Sequence, residues 1–419
     1  MKSKRSWVRG GGDPATIEVG VYGASGYMGG EALRVLSEHP GVKVVWATSR
    51  GDKPLGHLHR NFYGSDLKLV RPEEITPCDA VFFAVPTGTP MQLAQYFLEQ
   101  DTKIIDLGAD FRLKDLADWE RVYGKKHACP DVVEEAVYGI PELHREAIKR
   151  AKVIANPGCF ASAAILGMAP LVKAGLVDNG RIIVDGLSGT AGAGAELGTP
   201  LHHPEIGNNV VPYNVVDHRH TYEMEQEVGL LVADGDGAGM AAEAAGRAAG
   251  GAVHAGAEAV ATTGAASGGA AGAKRGAASN GAAGATSPVT VHFTSSYIPI
   301  TRGILAICHC FPVRPVPREE ALSVYREFYQ DEFFVRVFDM PREPGASWQY
   351  APYPWVSAVS GTNFCHIGLE VDEKRNRIVV FSVLDSVGKG GAHAGVQNLN
   401  LLFGLDEKTG LTRYGLHPY

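Results

Sequence analysis

The run Asn156-Pro157-Gly158-Cys159-Phe160 carries the clearest chemical signal in this chain. It follows an apolar stretch ending at Ala155 and precedes a helical pattern from about Ala161 to Ala174, so Cys159 falls at or near a helix N-terminus. Free N–H groups and the positive end of the helix dipole lower a thiol pKa there and can hold an oxyanion. Cys159 is therefore a candidate nucleophile, whereas Cys78, Cys308 and Cys365 stand in apolar contexts as small hydrophobes. A nucleophilic thiol needs a proton partner that is close in space, not in sequence. His218-Arg219-His220-Thr221-Tyr222-Glu223 offers two imidazoles for proton transfer and a guanidinium to anchor an anion. Cys308-His309-Cys310 sits inside a strand-like alternation, and no second ligand pair stands at zinc spacing, so no metal is expected.

A second group of residues suits a dinucleotide. Gly23-Ala24-Ser25-Gly26-Tyr27-Met28-Gly29 follows one strand-like run and opens a helical one. Glycines there let the backbone turn tightly and approach a pyrophosphate at the helix N-terminus. An NAD-specific fold places an acid about 20 residues further on, at the tip of the second strand. Here that tip reads Thr48-Ser49-Arg50. A hydroxyl and a guanidinium suit a 2′-phosphate, which favours NADP(H). Ser188-Gly189-Thr190-Ala191-Gly192 is another glycine-rich turn, open to close approach by a nicotinamide or a reacting carbon. Arg112 follows the run 104–107, at the edge where open α/β sheets bind ligands. It is a candidate phosphate holder, with a salt bridge to Asp110 or Asp115 as the equal alternative.

The elements that must position these groups alternate in type. Apolar runs at 17–22, 42–47, 80–85 and 103–107 are separated by helical patterns at 31–38 and 91–99, which implies βαβ units. After 156 strands become more frequent: 181–185, 289–296, 303–311, 365–370 and 377–384, with a last helix over about 392–403. The expected fold class is α/β, a Rossmann-type doubly wound parallel sheet plus an α+β catalytic and dimerisation domain. Its expected bounds are a flexible leader at 1–16, the cofactor domain at 17–155 completed by 385–419, and the catalytic domain at 156–384. From 233 to 287, Ala and Gly supply 37 of 55 residues with no Leu, Ile or aromatic. Such a stretch cannot offset its ordering entropy of about 1–2 kcal/mol per residue, and reads as a low-complexity insertion.

Composition narrows the function classes. The chain has 419 residues, 45% hydrophobic, with 39 basic against 46 acidic side chains and a net charge of −7. No basic field exists to hold a nucleic-acid backbone or an anionic membrane. The longest apolar stretch, 160–172, contains Pro170 and is shorter than the roughly 20 residues of a membrane span. Six scattered cysteines fit a reducing compartment, so a cytoplasmic protein is expected, with plastid or mitochondrion as alternatives for a eukaryotic source.

GASGYMGG, ADFRL, ANPGCFASAAILGMAPL, SGTAGAG, HRHTYEMEQ and HAGVQNLNLLFG together resemble the N-acetyl-γ-glutamyl-phosphate reductase family, which is similar in build to aspartate-semialdehyde dehydrogenase. The resemblance covers about 17–230 and 288–419. It implies NADPH-dependent reduction of an acyl phosphate through a Cys159 thioester, with His218 moving protons and His220 in reserve. It further implies that Glu223 orients a histidine and that Arg112, Asn156 and Arg219 bind substrate. Gly23, Ser25, Gly26, Tyr27, Met28, Gly29, Ser49, Arg50, Ser188, Gly189, Gly192 and Ser386 would contact the cofactor. A homodimer or homotetramer is expected. Three departures stand out. Tyr222 replaces a usual Pro, and Asp385-Ser386-Val387 replaces a usual D-N-L. His202-His203-Pro204-Glu205 and the stretch 61–75 look closer to the branch acting on a carrier-protein-linked aminoadipyl or glutamyl phosphate.

Overall fold

The computed structural model describes residues 16–51, 53–234, 289–339 and 353–416. Seven strands form the first sheet: Ile17–Tyr22 (β1), Val42–Thr48 (β2), Leu69–Val70 (β3), Ala80–Phe83 (β4), Lys103–Asp106 (β5), Val137–Tyr138 (β6) and Val153–Ala155 (β7). All pair in parallel, in the order β3-β2-β1-β4-β5-β7-β6. Helices cover both faces, which is why Val81, Phe82 and Phe83 of β4 are all fully buried rather than alternating. The chain winds outward from β1 in one direction through β2 and in the other through β4. Strand order therefore reverses between β1 and β4, and a crevice opens at their carboxyl ends.

The first helix, Tyr27–Ser37, starts four residues before the expected 31. Its apolar periodicity begins only at Ala32, because the first turn is chosen for backbone approach instead. A Cβ on Gly29 would lie 2.2 Å from the Gly23 carbonyl oxygen. Gly23 has φ +100, a conformation in which a side chain is strained, and a Cβ there would also meet Ala84 O at 2.5 Å.

The second sheet is mixed and contains Val177–Ser188 (β8), Val211–Tyr213 (β9), Val291–Tyr297 (β10), Ile304–Pro312 (β11), Val335–Val337 (β12), Cys365–Asp372 (β13) and Arg377–Leu384 (β14). Its order is β12-β13-β14-β11-β8-β10-β9. Helix Cys159–Lys173 lies against it, apolar on every side and buried from Phe160 to Val172. In β11, Cys308 and Cys310 face the core while His309 faces the other way, 3.4 Å from Asp185. Among the described residues no group of three His, Cys, Asp or Glu is placed to hold a metal ion.

The last segment returns to the first sheet through a π-helical turn, Gly388–Ala392, and helix His393–Leu402. Val396 and Leu399 join the apolar cluster of β1, β4 and β5. A buried charge cluster fastens the two sheets together: Glu31 bonds Arg302 at 2.9 Å and His393 at 2.7 Å, and Arg302 bonds Asp385 at 2.9 Å. Burial opposes the Glu31 charge, but hydrogen bonds from His393, Arg34 and Arg302 hold its carboxyl well below the usual carboxylate range. All of the expected leader but Thr16 and nearly all of the Ala/Gly-rich stretch lie outside the described residues; Ala233 and Asp234 close helix Arg219–Asp234. Among the described residues no helix is long and apolar enough to cross a membrane.

Candidate active site

Cys159 is the first residue of its helix, with Gly158 as the N-cap. It is half-buried and stands in the wall of a cleft of about 550 Å³ shared with Tyr123, Ser188, Tyr213, His218, Arg219, His220 and Tyr297. The thiol differs from the sequence-based expectation. Burial pushes it up to about 11, against the opposing pull of the Phe160 N–H and the Arg112 and Arg219 guanidiniums. Desolvation outweighs the helix terminus, so the resting group is a thiol that needs a base.

Two neutral imidazoles adjoin it. Burial, with the Arg219 charge second, lowers His218 to about 4. Burial and the neighbouring His218, Arg219 and Arg112 lower His220 well below its ordinary range. His218 Nδ1 accepts the His220 backbone N–H at 3.1 Å. The His220 ring lies directly on Gly158: a Cβ at 158 would sit 2.3 Å from Nε2. His220 Nδ1 is buried and has no hydrogen-bond partner among the described residues. Phe160 and Phe293 meet His218 edge-on, with centroids at 5.9 and 5.0 Å.

Glu223 is the hub of this arrangement. Fully buried, it accepts hydrogen bonds from Tyr138 Oη at 2.7 Å, Gly158 N at 2.9 Å and Arg112 Nη1 at 3.1 Å. Its Oε1 lies 3.9 Å from His220 Nε2. It thus fixes the Cys159 loop as well as facing a histidine.

The fold gives several residues singled out in the sequence partners of their own. Arg112 is only 7% exposed and donates from Nε to Asn156 O, from Nη2 to Leu107 O and from Nη1 to Glu223, so it braces the cysteine loop. Its ion pair is with Glu223, not with Asp110 or Asp115. Asn156 is also buried, spending its amide on Gly391 O and its oxygen on Asn398 Nδ2. Ser386 is buried and accepts the Gly303 N–H at 3.2 Å. Gly189 is required by the loop behind it, since a Cβ would meet Thr301 O at 2.8 Å. Ser188 and Gly192 do reach the Cys159 cleft. Arg219 is exposed in the cleft wall and makes no ion pair or hydrogen bond with a described residue. Tyr222, the departure from the family's Pro, accepts a hydrogen bond from Arg121 at 2.9 Å and bonds Asp217, tying helix Leu116–Tyr123 to the histidine turn. His203–Ile206 forms a short helix away from the cleft lining.

Sequence reasoning missed the tyrosines. Tyr213 and Tyr297 stack at 3.9 Å with 5° between planes, on neighbouring strands β9 and β10. It also missed two glycines. A Cβ on Gly390 would lie 2.7 Å from Cys159 Cβ, and one on Gly391 would lie 2.5 Å from Met28 Cε. One two-residue strip of bare backbone therefore separates the cysteine from the glycine turn.

That turn fits a dinucleotide. Gly23 N bonds Thr48 Oγ1 at 3.0 Å, and Ala24 N bonds Thr48 O at 2.9 Å, which fixes the loop to the end of β2. A Cβ on Gly26 would point into open space, and the helix start carries no side-chain cap, so its N–H groups stay available to an anion. Ser25 and Tyr27, in the same turn, are exposed. Ser49 lines a cleft of about 880 Å³ with Lys53 and Lys68, two cations unmarked by any motif; Arg50 is exposed beside it but outside its lining.

A doubly wound parallel sheet with an open glycine turn, backed by a mixed sheet that carries a cysteine at a helix start beside two histidines, has the build of a dehydrogenase of the dinucleotide-binding type. Two family models match: the semialdehyde dehydrogenase NAD binding domain over residues 18–151, and the semialdehyde dehydrogenase dimerisation domain over 159–238 and 277–386. An N-acetyl-gamma-glutamyl-phosphate reductase of Desulforamulus reducens is 36% identical over 410 residues, covering 96% of this chain and 100% of that one. One of Methanosarcina mazei is 39% identical over 401 residues, covering 94% and 97%. Among solved structures, aspartate semialdehyde dehydrogenase II of Vibrio cholerae has a TM-score of 0.59 at 18% identity, covering 92% and 98% of the two chains. Aspartate semialdehyde dehydrogenase with NADP from Candida albicans has a TM-score of 0.56 at 14% identity, covering 94% and 99%. The chain belongs to the semialdehyde dehydrogenase family, in its N-acetyl-gamma-glutamyl-phosphate reductase branch.

Proposed function

We infer that the chain is an NADPH-dependent acyl-phosphate reductase that converts N-acetyl-γ-glutamyl phosphate to N-acetylglutamate 5-semialdehyde and phosphate, a step of arginine biosynthesis. The near-full-length similarity to reductases of that name supports the reaction. The single observation that carries the residue roles is Cys159 in an open cleft with two neutral imidazoles at its loop.

In this reading the Cys159 sulfur attacks the acyl carbonyl, an S–C bond forms, the C–O bond to phosphate breaks, and a thioester remains. The glycine turn Gly23–Gly29 would hold NADPH, whose chemistry there would be hydride donation to the thioester carbon, giving a thiohemiacetal on Cys159. Cleavage of the C–S bond then releases the aldehyde and returns the sulfur. His220 takes the thiol proton, ahead of His218, which reverses the order expected from sequence. What supports His220 is its unpartnered Nδ1 and its seat on Gly158, while His218 Nδ1 is already engaged. Glu223 Oε1, facing Nε2, is sited to stabilise the imidazolium that forms. Arg219 holds the substrate's anionic end.

The matched dimerisation domain supports a homo-oligomer, and we read it as a homodimer or homotetramer. A carrier-linked substrate is the second reading, favoured by the stretches 61–75 and 202–205 and by Val216, 86% exposed in the cleft lining. The ratio of kcat/KM on free and carrier-linked substrate separates the two.

The main test is the reverse reaction: NADP reduction with N-acetylglutamate 5-semialdehyde must require inorganic phosphate and vanish in Cys159→Ser. Turnover without phosphate makes the protein an aldehyde dehydrogenase forming free acid, and overturns the reading.

A further inference from the structure

Tyr123 is the last residue of helix Leu116–Tyr123, and no assignment above gives it a role. Its place is rigid. The helix is capped at its start by Asp115, which accepts from the N–H groups of Ala117 and Asp118, and closed by Gly124 at φ +62. Trp119, fully buried, donates from Nε1 to Ala109 O at 2.8 Å and meets the Tyr123 ring at 5.0 Å between centroids. Tyr123 also lines the cleft that contains Cys159, Arg219 and His220.

Its hydroxyl is the anomaly. The oxygen is buried, yet it has no hydrogen-bond partner among the described residues. Leaving a buried hydroxyl unpaired is unfavourable, and a phenylalanine of the same shape would avoid the loss. Structure alone thus gives no reason for the oxygen. The Glu223 carboxylate and the Arg112 and Arg219 guanidiniums act on the phenol electrostatically. Of these, Arg112 and Glu223 are paired to each other, and Arg219 is uncommitted.

We propose that the Tyr123 hydroxyl is a substrate-binding group, donating a hydrogen bond to an anionic oxygen of the acyl phosphate held beside Arg219. Burial, with Glu223 second, pushes the phenol up to about 12, so it stays a donor throughout the working pH range. The proposal rests on the reductase reading above.

The test is Tyr123→Phe, measured in the reverse direction with phosphate and N-acetylglutamate 5-semialdehyde. Loss of a hydrogen bond to a charged oxygen raises the KM for one of these two reactants by about tenfold or more. The Kd for NADP(H), read by fluorescence, stays unchanged, and the thermal midpoint is equal to or above that of the natural protein. Unchanged KM values for both reactants overturn the proposal. So does a KM rise accompanied by a lower thermal midpoint, which marks a structural hydroxyl. Failure of the wild-type protein to turn over is a failure of the reductase reading itself. For a readout independent of turnover, phosphate binding to Cys159→Ser is compared by calorimetry with binding to the same variant carrying Tyr123→Phe. Weaker binding in the double variant supports the proposal if the KM affected is that for phosphate; equal binding in that case overturns it.

Discussion

Gly158→Ala isolates the link between the cysteine loop and its proton partner. Gly158 has φ −68 and ψ 147, a conformation alanine adopts without strain, so the backbone is not the obstacle. The side chain is. The new Cβ would lie 2.3 Å from His220 Nε2, 2.6 Å from Cδ2 and 2.8 Å from Cε1. Ordinary contact begins at 3.4 Å, so the ring must retreat by 3.4 − 2.3, or 1.1 Å. Phe160 and His218 pack against the His220 ring and Phe293 backs His218, so the retreat is made against a packed wall. Such overpacking costs about 1–3 kcal/mol, offset by about 0.4–1 kcal/mol from the lower chain entropy of the unfolded alanine variant. A displacement of about 1 Å at a catalytic group lowers rate by about 100-fold. Steady-state assay should thus show kcat reduced by about two orders of magnitude, with cofactor Kd unchanged and stability lowered by no more than about 2.6 kcal/mol. Retention of full kcat by a folded Gly158→Ala protein would refute the placement of His220 as the proton carrier.

Two further outcomes follow from the charges. Arg112→Ala strands the fully buried Glu223 and should destabilise the fold by about 3–5 kcal/mol, seen as a large drop in denaturation midpoint. Arg219→Ala removes an exposed and unpartnered cation, so stability should move by less than about 0.5 kcal/mol while the KM for the anionic reactant rises by about tenfold or more. A reversed pattern, with Arg112→Ala stable and defective only in substrate binding, would restore the substrate role expected from sequence. Cys159 gives a pH test. A thiol pushed up to about 11 is protonated at neutral pH, so iodoacetamide labelling of the ligand-free protein should accelerate about tenfold per pH unit between 7 and 9. A rate already level at pH 7 would mean that the helix terminus outweighs burial.

Much of this was legible along the chain because it depends on neighbours in sequence. A glycine turn between β1 and its helix requires only a strand, a tight reversal and a helix start, all within Ile17–Ser37. Cys159 at a helix N-terminus follows in the same way from a proline and glycine ahead of an apolar run. The short strands β3, β6, β9 and β12 were not legible. Two or three residues carry no period, and each exists only because a longer strand already offers its edge.

The fate of the polar groups was decided by tertiary structure. Arg112 and Glu223 are 111 residues apart, and Asn156 and Gly391 are 235 apart. A period tells which face of an element is buried; it does not tell which buried donor meets which acceptor. Composition and spacing thus made Arg112 and Arg219 equal candidates for substrate. Folding buried one against a carboxylate and left the other facing the cleft, because only a paired guanidinium can leave water at tolerable cost.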